Sequence, residues 1–85
     1  MQQTYKDISK RHNLAHIVRK QAEKYKASNK KYDNDQGDIL IKIADDIMSG
    51  DLDMARLRLD ALHYNIKTSL PFEVLDHIGR PEVGL

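Results

Sequence analysis

Residues 13–32, NLAHIVRKQAEKYKASNKKY, decide how the whole chain is read. At about 100° per residue, Leu14, Ala15, Val18, Ala22, Tyr25 and Tyr32 fall within a single arc of roughly 100°. Steps from Leu14 through Val18, Gln21, Tyr25 and Ser28 to Tyr32 alternate four and three, which is the spacing of one helix face. No Gly or Pro interrupts the run, so a continuous helix over about residues 4–31 is expected. Lys20, Lys24 and Lys31 line one flank of the stripe, and Arg19, Lys26 and Lys30 line the other. His16, Glu23 and Ala27 look outward, and Ile17 stands off the stripe as a surface residue or a second contact. Upstream, Thr4-x-x-Asp7 has the form of a weak capping box. Met1 to Thr4 reads as frayed, and Tyr5 and Ile8 are out of phase with the stripe, which predicts a break or bend near Ser9.

Beyond this helix, YDNDQG (residues 32–37) reads as a turn, because Asn and Asp bond locally to the backbone and Gly permits positive φ. A second helix is expected over 38–49, DILIKIADDIMS, with Gly50 as its stop. The β-branched ILIKI favours a strand locally, but Ile39, Ile43 and Ile47 continue at helical spacing. Seven apolar positions cover about 200° of this helix, more than a surface helix needs, and make it the centre of the core. Asp51 is a good N-cap for a third helix over 52–69. Leu52, Ala55, Leu59, Leu62 and Ile66 form its main face, while Met54, Leu57, Ala61 and Tyr64 form a second, nearly opposite. Arg56 and Asp60 are placed for an i,i+4 pair. Pro71 opens a short fourth helix near 71–78, with Phe72, Val74 and Leu75 as a lid. RPEVGL then reads as a tail that is disordered or docks. The expectation is a single all-α domain over 1–85: three main helices in a small up-down bundle plus the C-terminal one.

Composition limits what this domain can be. At 85 residues with one Phe, no Trp and four Tyr, a monomer would have a thin core, so self-association is expected. Cysteine is absent, which excludes a disulfide framework and thiolate zinc sites. Mean hydropathy is −0.66, no apolar run approaches a membrane span, and MQQTYKD lacks a signal-peptide core, so the expected location is cytoplasmic. The net charge of +1 conceals a division: residues 1–32 hold nine Lys/Arg against two acids, and residues 33–85 hold five against eleven. Either the halves neutralise each other in the fold, or the basic half meets an acidic or nucleic-acid partner.

Catalytic and metal signatures are weak. His12 and His16 share a helix face, but Lys10, Arg11, Arg19 and Lys20 surround them and the HExxH glutamate is missing, so they read as solvated. His63 and His77 have no nearby nucleophile. Asp45 and Asp46 diverge by about 100° on a helix and read as a solvated face. DNDQGD lacks the spacing and closing glutamate of a calcium loop. Enzymatic activity, a cofactor and a metal are therefore not expected.

Two functions remain. The first is a non-enzymatic interaction protein, homo-oligomeric and binding a larger partner as regulator or inhibitor, with Met54, Leu57, Ala61 and Tyr64 as the partner or self-association interface. The second is a nucleic-acid or nucleotide-phosphate binder in which Arg19, Lys20, Lys24, Lys26, Lys30 and Lys31 meet phosphates and Tyr25 or Tyr5 stacks. Lysines outnumber arginines seven to two in residues 1–32, so such binding would be electrostatic and sequence-tolerant. A membrane-surface helix fits poorly, because the stripe holds alanines and tyrosines rather than Leu, Phe or Trp.

Overall fold

The computed structural model describes residues 2–79, with backbone alone for residues 2–7. The 80–85 tail, the Thr4 and Asp7 side chains and the Tyr5 ring lie outside the described residues. Five helices make up the regular structure: α1 (Gln2–Lys26), α2 (Lys31–Ser49), α3 (Leu52–Ala61), α4 (Tyr64–Lys67) and α5 (Phe72–Ile78), with no strand among the described residues. The all-α expectation holds, but three of its boundaries move.

The first helix begins at Gln2 and passes Ser9 without a break, then ends at Lys26, earlier than expected. The turn lies at Ala27–Lys30, not at YDNDQG. Ser28 explains the shift: its hydroxyl accepts from the Lys30 N–H at 3.1 Å and donates to Asp33 at 2.7 Å. Asn34 donates to the Ser28 and Lys30 carbonyls at 2.9 and 2.8 Å. The short polar side chains of YDNDQG thus serve in the first turn of α2, where such residues satisfy groups left over by the helix. Gly37 sits inside that helix against α1. A Cβ there would lie 2.9 Å from Lys26 Cγ and 3.2 Å from the Ala22 carbonyl, so glycine permits the close approach of the two helices.

Packing centres on α2. Leu40, Ile43, Ala44 and Ile47 are fully buried, and Ile39, Ile41 and Met48 pack at the edge of the core. Leu14, Ala15, Val18 and Ala22 bring α1 against it. Their partners run in opposite order along the chain (Arg19 with Asp45, Lys26 with Asp38), so α1 and α2 are antiparallel. The α3 helix returns along α2, with Arg58 opposite Asp46 and His63 opposite Gln36. A Schellman motif ends α2: Gly50 (φ 81°) donates to Ile47 O and Asp51 to Asp46 O.

The expected third helix is two helices. Asp51 caps α3 as foreseen, accepting from the Met54 N–H at 3.2 Å. After Ala61 the backbone extends through Leu62 and His63, because the buried Gln36 side chain accepts the His63 N–H at 2.9 Å in place of a helical carbonyl. Leu59, Leu62 and Ile66 nonetheless stay buried, so the main stripe survives the interruption. Of the anticipated lid, Val74 and Leu75 are buried together with Ile78, whereas Phe72 is 70% exposed.

Candidate interaction surfaces

The basic residues are sorted by the α1–α2 contact. Arg19 donates to Asp45 at 2.7 Å and Lys26 to Asp38 at 2.5 Å, so one flank of α1 is tied to the acidic side of α2. Lys20 lies 3.9 Å from Glu23, and Lys31 pairs with Asp35 at 3.1 Å. Lys24 and Lys30 have no ion pair among the described residues. The expected lysine rows are not continuous: Lys30 is in the turn and Lys31 starts α2, so neither extends the α1 face. Tyr25 packs at the core edge, while Tyr32 is 53% exposed and meets the His63 ring edge-on at 6.1 Å. The two charge halves therefore meet inside the chain, in part.

Asp45 and Asp46 are not one solvated face. Asp45 is exposed and reaches α1, whereas Asp46 is buried and both its oxygens accept from Arg58 Nη1 at 3.1 Å. The 100° divergence that rules out a shared substrate lets one carboxylate serve each neighbouring helix. Burial pushes the Asp46 carboxyl above its ordinary value, the nearby Asp51 and Asp45 add to this, and the Arg58 charge opposes it.

The outer face of α3 keeps much of its apolar stripe in solvent. Leu57 is 65% exposed, Ala61 is exposed and Met54 is half-buried. Tyr64, 53% exposed, is set apart on α4 by the extended Leu62–His63 backbone, so the structure does not continue the stripe to it as one helix face. Asp53 and Asp60, seven residues apart, flank Leu57 on the same side of α3 and have no ion pair among the described residues. The Arg56–Asp60 pair does not form. Arg56 instead donates twice to the Ile78 carbonyl, at 3.2 and 2.9 Å, and closes the end of α5. The carboxylate spacing was readable in the sequence as an i,i+7 pattern, but the assumed Arg56 partnership hid it.

Among the described residues, two depressions bear on these surfaces. A shallow slot of about 240 Å³ lies on the α1–α2 seam, lined by Arg19, Ala22, Glu23, Lys26 and Ile41, with a mostly apolar floor. A cleft of about 220 Å³ is lined by Lys10, Arg11, Gly50, Leu52 and His77. There the Arg11 guanidinium lies against Gly50 at the C-terminal end of α2, where a cation offsets the helix dipole. That charge is engaged by the fold. Among the described residues no group of three His, Cys, Asp or Glu is placed to hold a metal, and no helix is long and apolar enough to cross a membrane. The chain matches none of the family models, the curated proteins or the solved structures with which it was compared.

Proposed function

We propose that the chain is a non-enzymatic interaction module of the cytoplasm, a small helical bundle that binds a larger macromolecular partner and modulates it through the outer face of α3. The observation that carries the reading is Leu57, 65% exposed in the middle of a helix anchored at both ends, by the Asp51 cap and by the Gln36–His63 bond. A lone exposed leucine is ordinary. This one shares a ten-residue helix with Ala61 and Met54 and is flanked on one side by two carboxylates that have no ion pair among the described residues. An apolar centre with a charged rim is the anatomy of a recognition patch. The test is photo-crosslinking in the producing cells, with benzoylphenylalanine at position 61 on α3 or, as a control, at position 16 on the outward side of α1. Adducts with another protein that form from position 61 and vanish with Leu57→Asp support the reading. Equal labelling from both positions overturns it.

Phosphate binding is a second reading, favoured by Lys24 and Lys30, which have no ion pair among the described residues, and by the exposed Tyr32 ring. Arg19, Lys26 and Lys31 already serve carboxylates, so any oligonucleotide binding is expected at low salt only. Fluorescence polarisation of labelled single- and double-stranded oligonucleotides at low and near-physiological salt decides this. Tight binding that persists at the higher salt would favour this reading over the first.

A further inference from the structure

We infer that the cleft where α1, the α2–α3 junction and α5 meet binds a small oxyanion, a phosphate group above all. This site is separate from the outer face of α3 and does not depend on the reading given to that face. Lys10 and Arg11 enter the cleft from α1 and His77 from α5, while Gly50 and Leu52 complete the wall. Two cations and an imidazole therefore line it, and no acid does among the described residues. Neighbours on a helix diverge by about 100°, yet both long α1 side chains reach this one cavity. Elsewhere the fold pairs its cations: Arg19, Lys26, Lys31 and Arg58 each have a carboxylate. Lys10 and Arg11 have no ion pair among the described residues, although they share a cavity and repel one another. A bound anion relieves that repulsion.

The C-terminal end of α2 accounts for Arg11, whose guanidinium lies against Gly50, but not for Lys10 beside it. Leu52 begins α3 in the same wall, so two helix ends of opposite polarity meet here and offset one another. The field in the cleft is then set by its side chains. Asp51, next to Gly50, accepts the Met54 N–H in the α3 cap, and its charge weakens the site without lining it. A guanidinium fork beside an ammonium group suits phosphate, since the fork bonds two oxygens at once and the ammonium adds a point charge. The volume of about 220 Å³ is below the roughly 300–1,000 Å³ of a site for a drug-sized ligand, so a phosphate with a small substituent fits and a nucleic-acid strand does not. Lys24 lies about 20 Å farther along α1, which separates this cleft from any oligonucleotide surface there.

The test is backbone-amide NMR of the full chain, titrated with sodium phosphate against sodium chloride at constant ionic strength. Saturable shifts should centre on Gly50, Leu52 and His77, with a dissociation constant on the order of 1 mM. Lys10→Gln, at an exposed position, should raise that constant about threefold, and Arg11→Gln about tenfold. Lys42→Gln makes the same change of charge at an exposed position of α2 outside the cleft and should leave the constant as it was. Glycerol phosphate identifies the source of the group: binding tighter than that of inorganic phosphate assigns the site to a phosphate monoester, and weaker binding assigns it to the free ion. Should Arg11→Gln disturb the end of α2, shifts far from the cleft reveal it, and Lys10→Gln decides alone. Shifts that rise without saturating, or a constant that Lys10→Gln and Lys42→Gln change equally, overturn the inference.

Discussion

Replacing Arg58 by Met should cost about 2 kcal/mol at pH 7, and nearly all of that cost should disappear in acid. Asp46 is 8% exposed, and the side-chain bonds to its two oxygens both come from Arg58 Nη1. Removing a hydrogen bond to a charged group costs about 1.5–3 kcal/mol, and breaking a fully buried ion pair about 3–5. The Arg58 side chain remains 32% exposed, so water reaches the vacated position and the lower range applies. For a chain of this length that is a fall in Tm of roughly 10 °C. The Asp46 carboxyl is already held above its ordinary value of 3.8, with burial the largest cause. The folded state therefore binds this proton more tightly than the unfolded state, and stability falls as pH rises from 3.8 through the folded value. Without Arg58 the folded value rises further. The penalty is complete above it and absent below 3.8, where Asp46 is neutral in both states. Urea titrations of wild type and Arg58→Met at pH 7 and pH 3.5 measure the difference directly. An equal loss at both pH values would show that Arg58 acts by packing, and would refute the electrostatic argument. Asp46→Asn/Arg58→Met, which removes the uncompensated charge, should recover more than half of the loss at pH 7.

Other perturbations separate the remaining contributions. Gln36→Leu leaves the His63 N–H without its acceptor and should cost about 1–2 kcal/mol in chemical denaturation. Gly50→Ala places a Cβ at φ 81° and 3.2 Å from the Arg11 guanidinium, so a loss of about 1–2 kcal/mol is expected. Leu40→Ala, at a fully buried position of α2, should cost about 3 kcal/mol and lower the urea midpoint without changing the slope. Asp38→Asn breaks an exposed pair with Lys26 and should cost less than about 0.5 kcal/mol, a difference that fades at high salt.

Helical class and core composition were legible because burial here follows periodicity. Leu14, Val18 and Ala22 on α1 and Leu40, Ile43 and Ile47 on α2 are buried at the spacing their sequence shows. The boundaries were not. Asn and Asp within YDNDQG signal local backbone bonding, but the same chemistry suits a turn or the first turn of a helix, and the side-chain bonds from Ser28 and Asn34 place the turn upstream. The interruption between α3 and α4 was out of reach for a related reason: its cause is Gln36, 27 positions away from His63. Long-range polar contacts leave no periodic trace. For the candidate surfaces, the exposed Leu57 follows from the two-stripe pattern, and of the two acids beside it Asp60 was assigned to Arg56. The slot on the α1–α2 seam needs two helices in contact, and no single stretch of sequence encodes it.

Arg11 and Arg56 each finish a helix other than their own: Arg11 covers the end of α2 at Gly50, and Arg56 binds the last carbonyl of α5. This gives assembly of the chain a direction. Arg11 and Gly50 both belong to the first 50 residues, so the α1–α2 hairpin contains the means to seal its own far end and can mature early from local contacts. A seven-residue helix such as α5 has too few turns to persist alone, and its closing donor resides on α3, so it can settle only after α3 has docked. Synthesis from the N-terminus supplies the parts in that order. The α5 helix thereby reports on the docking of α3: a protease cut within it samples the state of α3 as well, and a truncation that removes it returns the Arg56 guanidinium to solvent.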